Sequence, residues 1–125
     1  MSDPISDLII RIKNAQDLRK DDLVLPYSNY KLAVLEVMIK YDLISDIEVK
    51  QGKKFKYISI KFGSKQISHI KRISKPGRRH YVKASQIPRP LRGLGLVILS
   101  TPSGVISGNE ARKKQIGGEL ICEAW

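Results

Sequence analysis

Residues 44–62 read ISDIEVKQGKKFKYISIKF, and this stretch decides the fold class of the first half of the chain. Polar and apolar residues alternate on both sides of Gln51-Gly52, and the apolar members are Ile47, Val49, Ile58, Ile60 and Phe62. A period of two is typical of strands with one buried face, and a glycine between two such runs predicts a hairpin. We therefore expect two antiparallel strands here, with a domain boundary after residue 63.

The residues before this hairpin show helical spacing instead. Asp3 and Pro4 are typical of a helix N-cap and first turn, and the stripe behind them predicts a helix that ends near Gln16 or Leu18. The apolar residues of this stripe are Ile5, Leu8, Ile9 and Ile12.

A short strand and a second helix are predicted between that helix and the hairpin. Because Pro26 cannot donate to a strand ladder, the apolar residues 23–25 before it predict a short edge strand. Ser28 or Asn29 is expected to cap a helix that stops near Asp42. The predicted apolar face of this helix comprises Leu32, Leu35, Met38 and Ile39. The predicted order over residues 1–63 is α-β-α-β-β.

Residues 64–125 are predicted to form a second, mostly β domain with short helices. We expect strands at 67–74, 78–82, 94–99 and 119–125, turns at 75–77 and 101–104, and a helical turn within 85–91. Ser107 and Glu110 have capping-box spacing before a short helix that runs to Lys114, and Gly117-Gly118 is expected to end it. The predicted class is α+β, with two small packed α/β domains at 1–63 and 64–125.

The basic residues are concentrated in the middle of the chain. There are 23 Lys and Arg against 12 Asp and Glu, which gives a net charge of +11. Residues 49–109 contain 14 Lys and Arg and no Asp or Glu, whereas residues 1–48 contain nine acids and six bases. Such one-sided charge repels itself unless a polyanion neutralises it, so nucleic acid is the leading candidate partner. The competing interpretation is a solvated surface that only keeps the protein soluble.

Little in the sequence supports catalysis, a metal site or a membrane span. His69 and His80 are the only imidazoles, and neither has a Cys, Asp or Glu at metal-ligand spacing. The single cysteine, Cys122, is expected to be a buried small hydrophobe in a reducing compartment. The segment 93–95 (GLG) lacks the remaining residues of a phosphate-binding loop. We predict an intracellular protein without enzymatic activity, cofactor, metal, small-molecule substrate, membrane span or secretion signal.

A cluster of bases supplies candidate phosphate contacts, which position a protein on nucleic acid without reading its sequence. These bases are Lys71, Arg72, Lys75, Arg78, Arg79, Lys83, Arg89 and Arg92. Tyr81 lies among them, and its ring could either stack on an exposed base or pack in the core of its strand.

Two further segments carry small groups that suit base recognition. Ser100, Thr101 and Ser103 surround a tight turn, where their hydroxyls could approach base edges and 2′-hydroxyls. The alternative is an ordinary hairpin turn. Gly117-Gly118 leaves room for close backbone approach, and Glu119 could accept from base amino groups or a 2′-hydroxyl. The alternative there is a helix stop followed by a strand.

A set of short motifs occurs in a fixed order along the whole chain. They are Asp3-Pro4-Ile5, 11–15 (RIKNA), 73–78 (ISKPGR), Tyr81-Val82, Ile87-Pro88-Arg89, 93–95 (GLG), Ser100-Thr101, Gly104-Val105, 110–112 (EAR) and Gly117-Gly118-Glu119. Each motif is weak alone, but the ordered set resembles the family of ribosomal protein eight of the small subunit, in its bacterial and organellar form.

This resemblance implies two packed α/β domains, of which the second makes most of the specific RNA contacts. It implies direct, early binding to an irregular helix in the central domain of small-subunit ribosomal RNA, with neighbouring small-subunit proteins as further partners. The implied location is the ribosome, in the cytoplasm or in an organelle. Some bacterial members also bind their own messenger RNA and repress its translation. When the RNA-contacting groups of the family are matched to this sequence position by position, the hydroxyls correspond to Ser100 and Thr101, the carboxylate to Glu119 and the aromatic ring to Tyr81.

One loop departs from the family pattern. Where the family usually has Ser-Thr-Ser-Lys-Gly, this chain has Pro102 for the second serine and Ser103 for the lysine. Proline removes a hydroxyl and an amide donor, which Ser103 could replace one position later. Two other classes stay open: a nonspecific RNA-binding protein or RNA chaperone, and an adaptor that binds acidic proteins.

Overall fold

The computed structural model describes residues 4–125, and the N-cap predicted at Asp3 lies outside them. These residues form helices and antiparallel sheets, which confirms the α+β class. They divide into two compact units, one that ends at Ile67 and one formed by Ser68–Trp125. Within residues 4–125, no helix is both long enough and apolar enough to cross a membrane.

The first unit has the predicted order of elements. They are α1 (Pro4–Asp17), β1 (Asp22–Pro26), α2 (Asn29–Lys40), β2 (Asp46–Gln51) and β3 (Lys56–Lys61). The strands form a sheet in the order β1-β3-β2, so β1 is an edge strand as predicted. The Ser28 hydroxyl caps α2 by accepting a hydrogen bond from the Lys31 N–H, which confirms the predicted start of that helix.

One face of this sheet and the apolar stripes of both helices supply the buried side chains of the first unit. The largest of them are Ile5, Leu8, Ile12, Leu25, Val34, Leu35, Met38, Ile58 and Ile60. The predicted face of α2 was partly wrong, because Leu32 and Ile39 are only half-buried while Val34 and Val37 are buried. Apolar residues occupy nearly every side of α2, so their spacing alone did not select the face that packs.

The second unit is built around its last strand. Its elements are β4 (Ile70–Arg72), β5 (Tyr81–Val82), β6 (Leu96–Thr101), β7 (Gly104–Ser107), α3 (Gly108–Lys114) and β8 (Gly118–Ala124). The sheet order is β4-β8-β6-β7, and β5 also pairs with β8. The strands predicted at 67–74 and 78–82 were too long, since regular pairing with β8 covers only Ile70–Arg72 and Tyr81–Val82.

Three details of the second unit differ from the predictions. The buried strand was predicted to begin at Leu94, but Leu94 is 87% exposed and lies before it. The chain turns through positive φ angles at Leu91, Arg92 and Gly93 before β6 begins. Two short 3-10 turns, Ala84–Gln86 and Pro90–Gly93, replace the single turn that was predicted. Helix α3 is capped by the Ser107 hydroxyl as predicted, but Gln115 ends it with a φ of 58°, ahead of the two glycines.

Candidate nucleic-acid interface

Three of the predicted site residues lie side by side on the sheet of the second unit. Glu119 of β8 is opposite Tyr81 of β5 on one side and opposite Ser100 of β6 on the other. Directly opposed residues point to the same face of a sheet, so the three side chains form one row, here called the Tyr81–Glu119–Ser100 row. Tyr81 is 68% exposed, so its ring does not pack in the core.

Glu119 is held by residues from the segment between β4 and β5. Ser74 Oγ donates a hydrogen bond to Glu119 Oε2 at 2.5 Å and accepts one from the His80 N–H at 3.1 Å. Arg79 Nη1 donates to the same carboxylate oxygen at 3.0 Å and forms an ion pair with it. Arg79 therefore supports the carboxylate of the row through a direct ion pair.

The two glycines before Glu119 allow β8 to lie between its neighbouring strands. A Cβ on Gly117 would lie 2.1 Å from the Val82 carbonyl oxygen, and one on Gly118 would lie 2.2 Å from the Ser100 carbonyl oxygen. Both obstacles are backbone atoms of paired strands, which cannot move aside without breaking the pairing. The close approach expected from these glycines is therefore made to the chain's own backbone, and it places Glu119 in the row.

The turn between β6 and β7 uses the Thr101 hydroxyl internally. Thr101 Oγ1 accepts from the Ser103 N–H at 3.1 Å and donates to the Gly104 carbonyl oxygen at 2.8 Å. Gly104 has a φ of 108°, which glycine adopts without strain. Pro102 and Ser103 are exposed at the tip. Thr101 thus shapes the turn, and the Ser103 hydroxyl is exposed where the loop departs from the family pattern.

The bases around the Pro-Gly turn line an open groove on the second unit. The backbones of Lys75 and Arg78 exchange hydrogen bonds of 3.1 and 2.9 Å, and both side chains are exposed. With Lys71 and Arg72 they contribute the positive charge of a groove of about 590 Å³, here called the basic groove. These residues bring together half of the bases that the sequence grouped between residues 71 and 92.

The remaining predicted bases lie elsewhere. Arg89 lines a separate cavity of about 410 Å³ with Asn109, Arg112 and Lys113, and Arg92 lines neither this cavity nor the basic groove. Arg112 Nη1 also contacts the Pro88 carbonyl oxygen at 3.5 Å. The sequence interpretation did not single out Arg112 and Lys113, which line this cavity beside Arg89. Their spacing from Asn109, three and four positions along α3, was the signal that places them on one helix face.

The cysteine and the two histidines lie in three different surroundings. Burial raises the pKa of the Cys122 thiol to about 12, and the side chain is fully enclosed, which confirms it as a small buried residue. The His69 ring stacks on Trp125 with ring centroids 4.1 Å apart, while His80 lines the basic groove. Among residues 4–125, no three His, Cys, Asp or Glu side chains are grouped as metal ligands would be.

Comparison with known proteins gives matches over the full length of the chain. The family profile described as Ribosomal protein S8 matches residues 3–125. Small ribosomal subunit protein uS8 of Thermus aquaticus is 42% identical over 137 residues, covering 100% of this chain and 99% of that protein. The proteins of the same name from Dictyoglomus turgidum and Lactobacillus helveticus are 44% and 43% identical, and each match covers 100% of this chain and 98% of the relative.

Proposed function

Because this chain belongs to the ribosomal protein S8 family, we propose that it is a structural protein of the small ribosomal subunit that binds small-subunit ribosomal RNA directly. The proposed target is an irregular helix in the central domain of that RNA. Binding there would help the subunit to assemble, alongside neighbouring small-subunit proteins. The proposed location is the ribosome, in the cytoplasm or in an organelle, and no catalytic step is part of this role.

The observation that carries the proposal is the Tyr81–Glu119–Ser100 row. An exposed aromatic ring, a carboxylate and a hydroxyl lie next to one another on adjacent strands, and the Ser103 hydroxyl is exposed at the nearby turn. Irregular RNA presents unstacked bases that stack on aromatic rings and form hydrogen bonds through their edges. The row offers both kinds of contact. We assign it to RNA reading, with Thr101 shaping the turn beside it and Gly117-Gly118 positioning Glu119.

The exposed bases have a different proposed task. Lys75, Arg78, Arg89 and Arg92 lie on the exposed surface of the second unit, where they can neutralise phosphates without selecting a sequence. We therefore propose that residues 64–125 form the RNA-binding domain, while residues 1–63 contribute stability and contacts with neighbours.

The deciding experiment is a binding and footprinting comparison. The full chain is titrated against a central-domain fragment of cognate small-subunit RNA and against an unrelated hairpin of equal length, each at several salt concentrations. Tight binding to the fragment alone and a compact footprint would support the proposal. If about five phosphates are contacted, the slope of log K against log salt should be roughly −3.5 to −4.5.

Two results would favour the alternatives. Equal competition by the unrelated hairpin would identify a nonspecific RNA-binding protein or chaperone. Complexes from cell extract that survive RNase would identify a protein adaptor. The same titration with the leader of the protein's own messenger tests a further part of the proposal, repression of its own translation through the same row.

A further inference from the structure

The basic groove lies on the face of the sheet opposite to the Tyr81–Glu119–Ser100 row. Its lining includes Val82 and Leu120, which follow Tyr81 and Glu119 directly on β5 and β8. Successive side chains of a regular strand point to opposite faces, so Val82 and Leu120 lie on the face opposite to the row. Glu123 shares the face of Leu120 because β8 is bulged against β6, where Leu120 and Glu123 stand opposite Leu99 and Val97, two residues apart. The groove and the row therefore do not share a surface. A ligand in this groove would therefore make contacts that the row does not.

The groove combines an apolar floor with a positively charged rim. Ile73 and Val82 pack against the apolar cluster that contains the buried Leu120, and all three line the groove. Lys71, Lys75 and Arg78 are the exposed bases around it. Apolar floors suit the flat face of a ring, whereas cations at the rim suit an anion. One nucleotide carries both groups on one molecule.

Glu123 adds a selective element to this lining. It is the one carboxylate among the residues that line the groove, its side chain is 23% exposed, and its Oε2 lies 3.8 Å from His69 Nε2. It stands opposite Lys71 in the strand register. An ionised carboxylate only accepts hydrogen bonds, so it favours bases with an amino group. Adenine, cytosine and guanine have one. Uracil has none, and its only edge donor, the N3–H, lies between two carbonyl oxygens that repel a carboxylate.

We propose that the basic groove binds one unstacked nucleotide whose base carries an amino group, with this amino group at Glu123 and the phosphate at Lys75 and Arg78. The proposal rests on the proposed function, and it adds a second point of RNA recognition that discriminates against uridine.

The test uses nucleoside monophosphates, so that binding to the groove is measured apart from binding to the row. The ¹⁵N-labelled full chain is titrated with cytidine 5′-monophosphate and with uridine 5′-monophosphate, and the backbone amides of Ile73, Val82 and Leu120 are followed by NMR. We expect saturable shifts at millimolar concentrations of the cytidine nucleotide. The uridine nucleotide should bind about tenfold more weakly, the scale of one hydrogen bond to a charged group.

Two pairs of variants separate the carboxylate from the cations. Glu123→Gln should reduce the preference for cytidine to less than about twofold, because an amide can donate as well as accept. Glu110→Gln on α3, outside the groove lining, should leave the preference for cytidine unchanged. Lys75→Gln should weaken the binding of both nucleotides but not that of unphosphorylated cytidine. Lys114→Gln removes the same charge from an exposed position outside the groove lining and should weaken neither.

Binding of the central-domain RNA fragment is measured in the same preparations, so that failure of the groove proposal can be distinguished from failure of the proposed function. If the chain binds the fragment but the groove amides do not shift, or shift equally for both nucleotides, the groove assignment is wrong and the proposed function stands. If the fragment does not bind while the cytidine nucleotide still does, the ribosomal RNA proposal fails and the groove remains a nucleotide site.

Discussion

Arg79 Nη1 lies 3.0 Å from Glu119 Oε2, so one base of residues 49–109, which contain no Asp or Glu, is bound to the carboxylate at the centre of the row. Its sequence neighbour Arg78 instead lines the basic groove with an exposed side chain. The sequence predicts the same phosphate-holding role for both arginines. The ion pair separates them, because a guanidinium that orients a carboxylate affects selectivity as well as charge.

Replacing these two arginines separately should therefore give different results. Arg78→Ala should weaken binding to cognate and unrelated RNA by similar factors, since phosphate contacts do not select a sequence. Arg79→Ala and Glu119→Gln should each weaken only the cognate fragment, by about 1–2 kcal/mol. Dissociation constants for both RNAs, at fixed salt, provide the measurement.

The double variant tests whether Arg79 and Glu119 act as a unit. The loss in cognate affinity should be smaller than the sum of the two single losses, by at least about 0.5 kcal/mol. Strict additivity, or a change of selectivity in Arg78→Ala alone, would mean that the ion pair has no part in RNA recognition.

In the β6–β7 turn, we expect Thr101 to maintain the shape of the turn and Ser103 to contact RNA. Thr101→Val keeps the size of the side chain but removes both hydrogen bonds of the hydroxyl, and it should lower stability by about 1 kcal/mol and weaken cognate binding. Thr101→Ser keeps both bonds and serves as the control. Ser103→Ala should weaken cognate RNA at unchanged stability, because the turn uses the Ser103 N–H and not its hydroxyl. Urea unfolding and RNA titration of the three variants give the comparison. An unaltered affinity in Ser103→Ala would remove that hydroxyl from the interface.

The glycines before Glu119 should tolerate no side chain. Gly118→Ala would bring a Cβ to within 2.2 Å of a paired carbonyl oxygen, and we expect a loss of more than about 3 kcal/mol of stability, or no folded protein. Gly77→Ala is the matched control, because a Cβ there meets nothing within 4 Å and its φ is not positive. It should be neutral or stabilising by about 0.4–1 kcal/mol. Thermal and urea unfolding decide the matter, and similar stabilities for the two variants would refute the steric argument.

The ion pair between Asp7 and Lys31 should make the stability of the first unit depend on pH. Lys31 is buried, and its Nζ lies 3.4 Å from Asp7 Oδ2 and 3.4 Å from the Pro26 carbonyl oxygen. Partial burial acts to raise the pKa of Asp7, but the hydrogen bonds and charges of Arg11 and Lys31 outweigh it and lower the pKa below its ordinary value of 3.8. A lowered carboxyl pKa contributes stability that is present above pH 3.8 and is lost as pH falls through the folded-state pKa.

Asp7→Asn should therefore lower the stability of the protein by about 1–2 kcal/mol at neutral pH, because it leaves the buried Lys31 ammonium without its counter-charge. The loss is no larger because the Asp7 carboxylate is itself partly exposed to solvent. Arg11→Gln, which removes only the exposed pair on the same helix, should cost about 0.3–0.5 kcal/mol. Urea unfolding from pH 7 down to pH 2.5 should show the deficit of Asp7→Asn shrinking below pH 4. A deficit that persists undiminished at pH 2.5 would show that the ion pair is not its cause.

Periodicity, turn residues and charge were enough to predict much of this protein from its sequence. The order α-β-α-β-β follows from a change of period between helix and strand, and the α3 cap follows from Ser107 and Glu110, because these signals depend on residues close together in the chain. The basic character of residues 49–109 is likewise a matter of composition. The ordered motifs from Asp3 to Glu119 pointed to the family that the full-length comparison shows.

Only the tertiary structure decided which distant residues meet. Tyr81, Ser100 and Glu119 form one row because the pairing of β8 with β5 and β6 sets their register, and two glycines allow that pairing at close range. Arg79 binds Glu119 while Arg78, its neighbour, lines the basic groove on the second unit. Local preference contains no information on strand register between segments some 20 to 40 residues apart, since packing of side chains from the whole unit selects it.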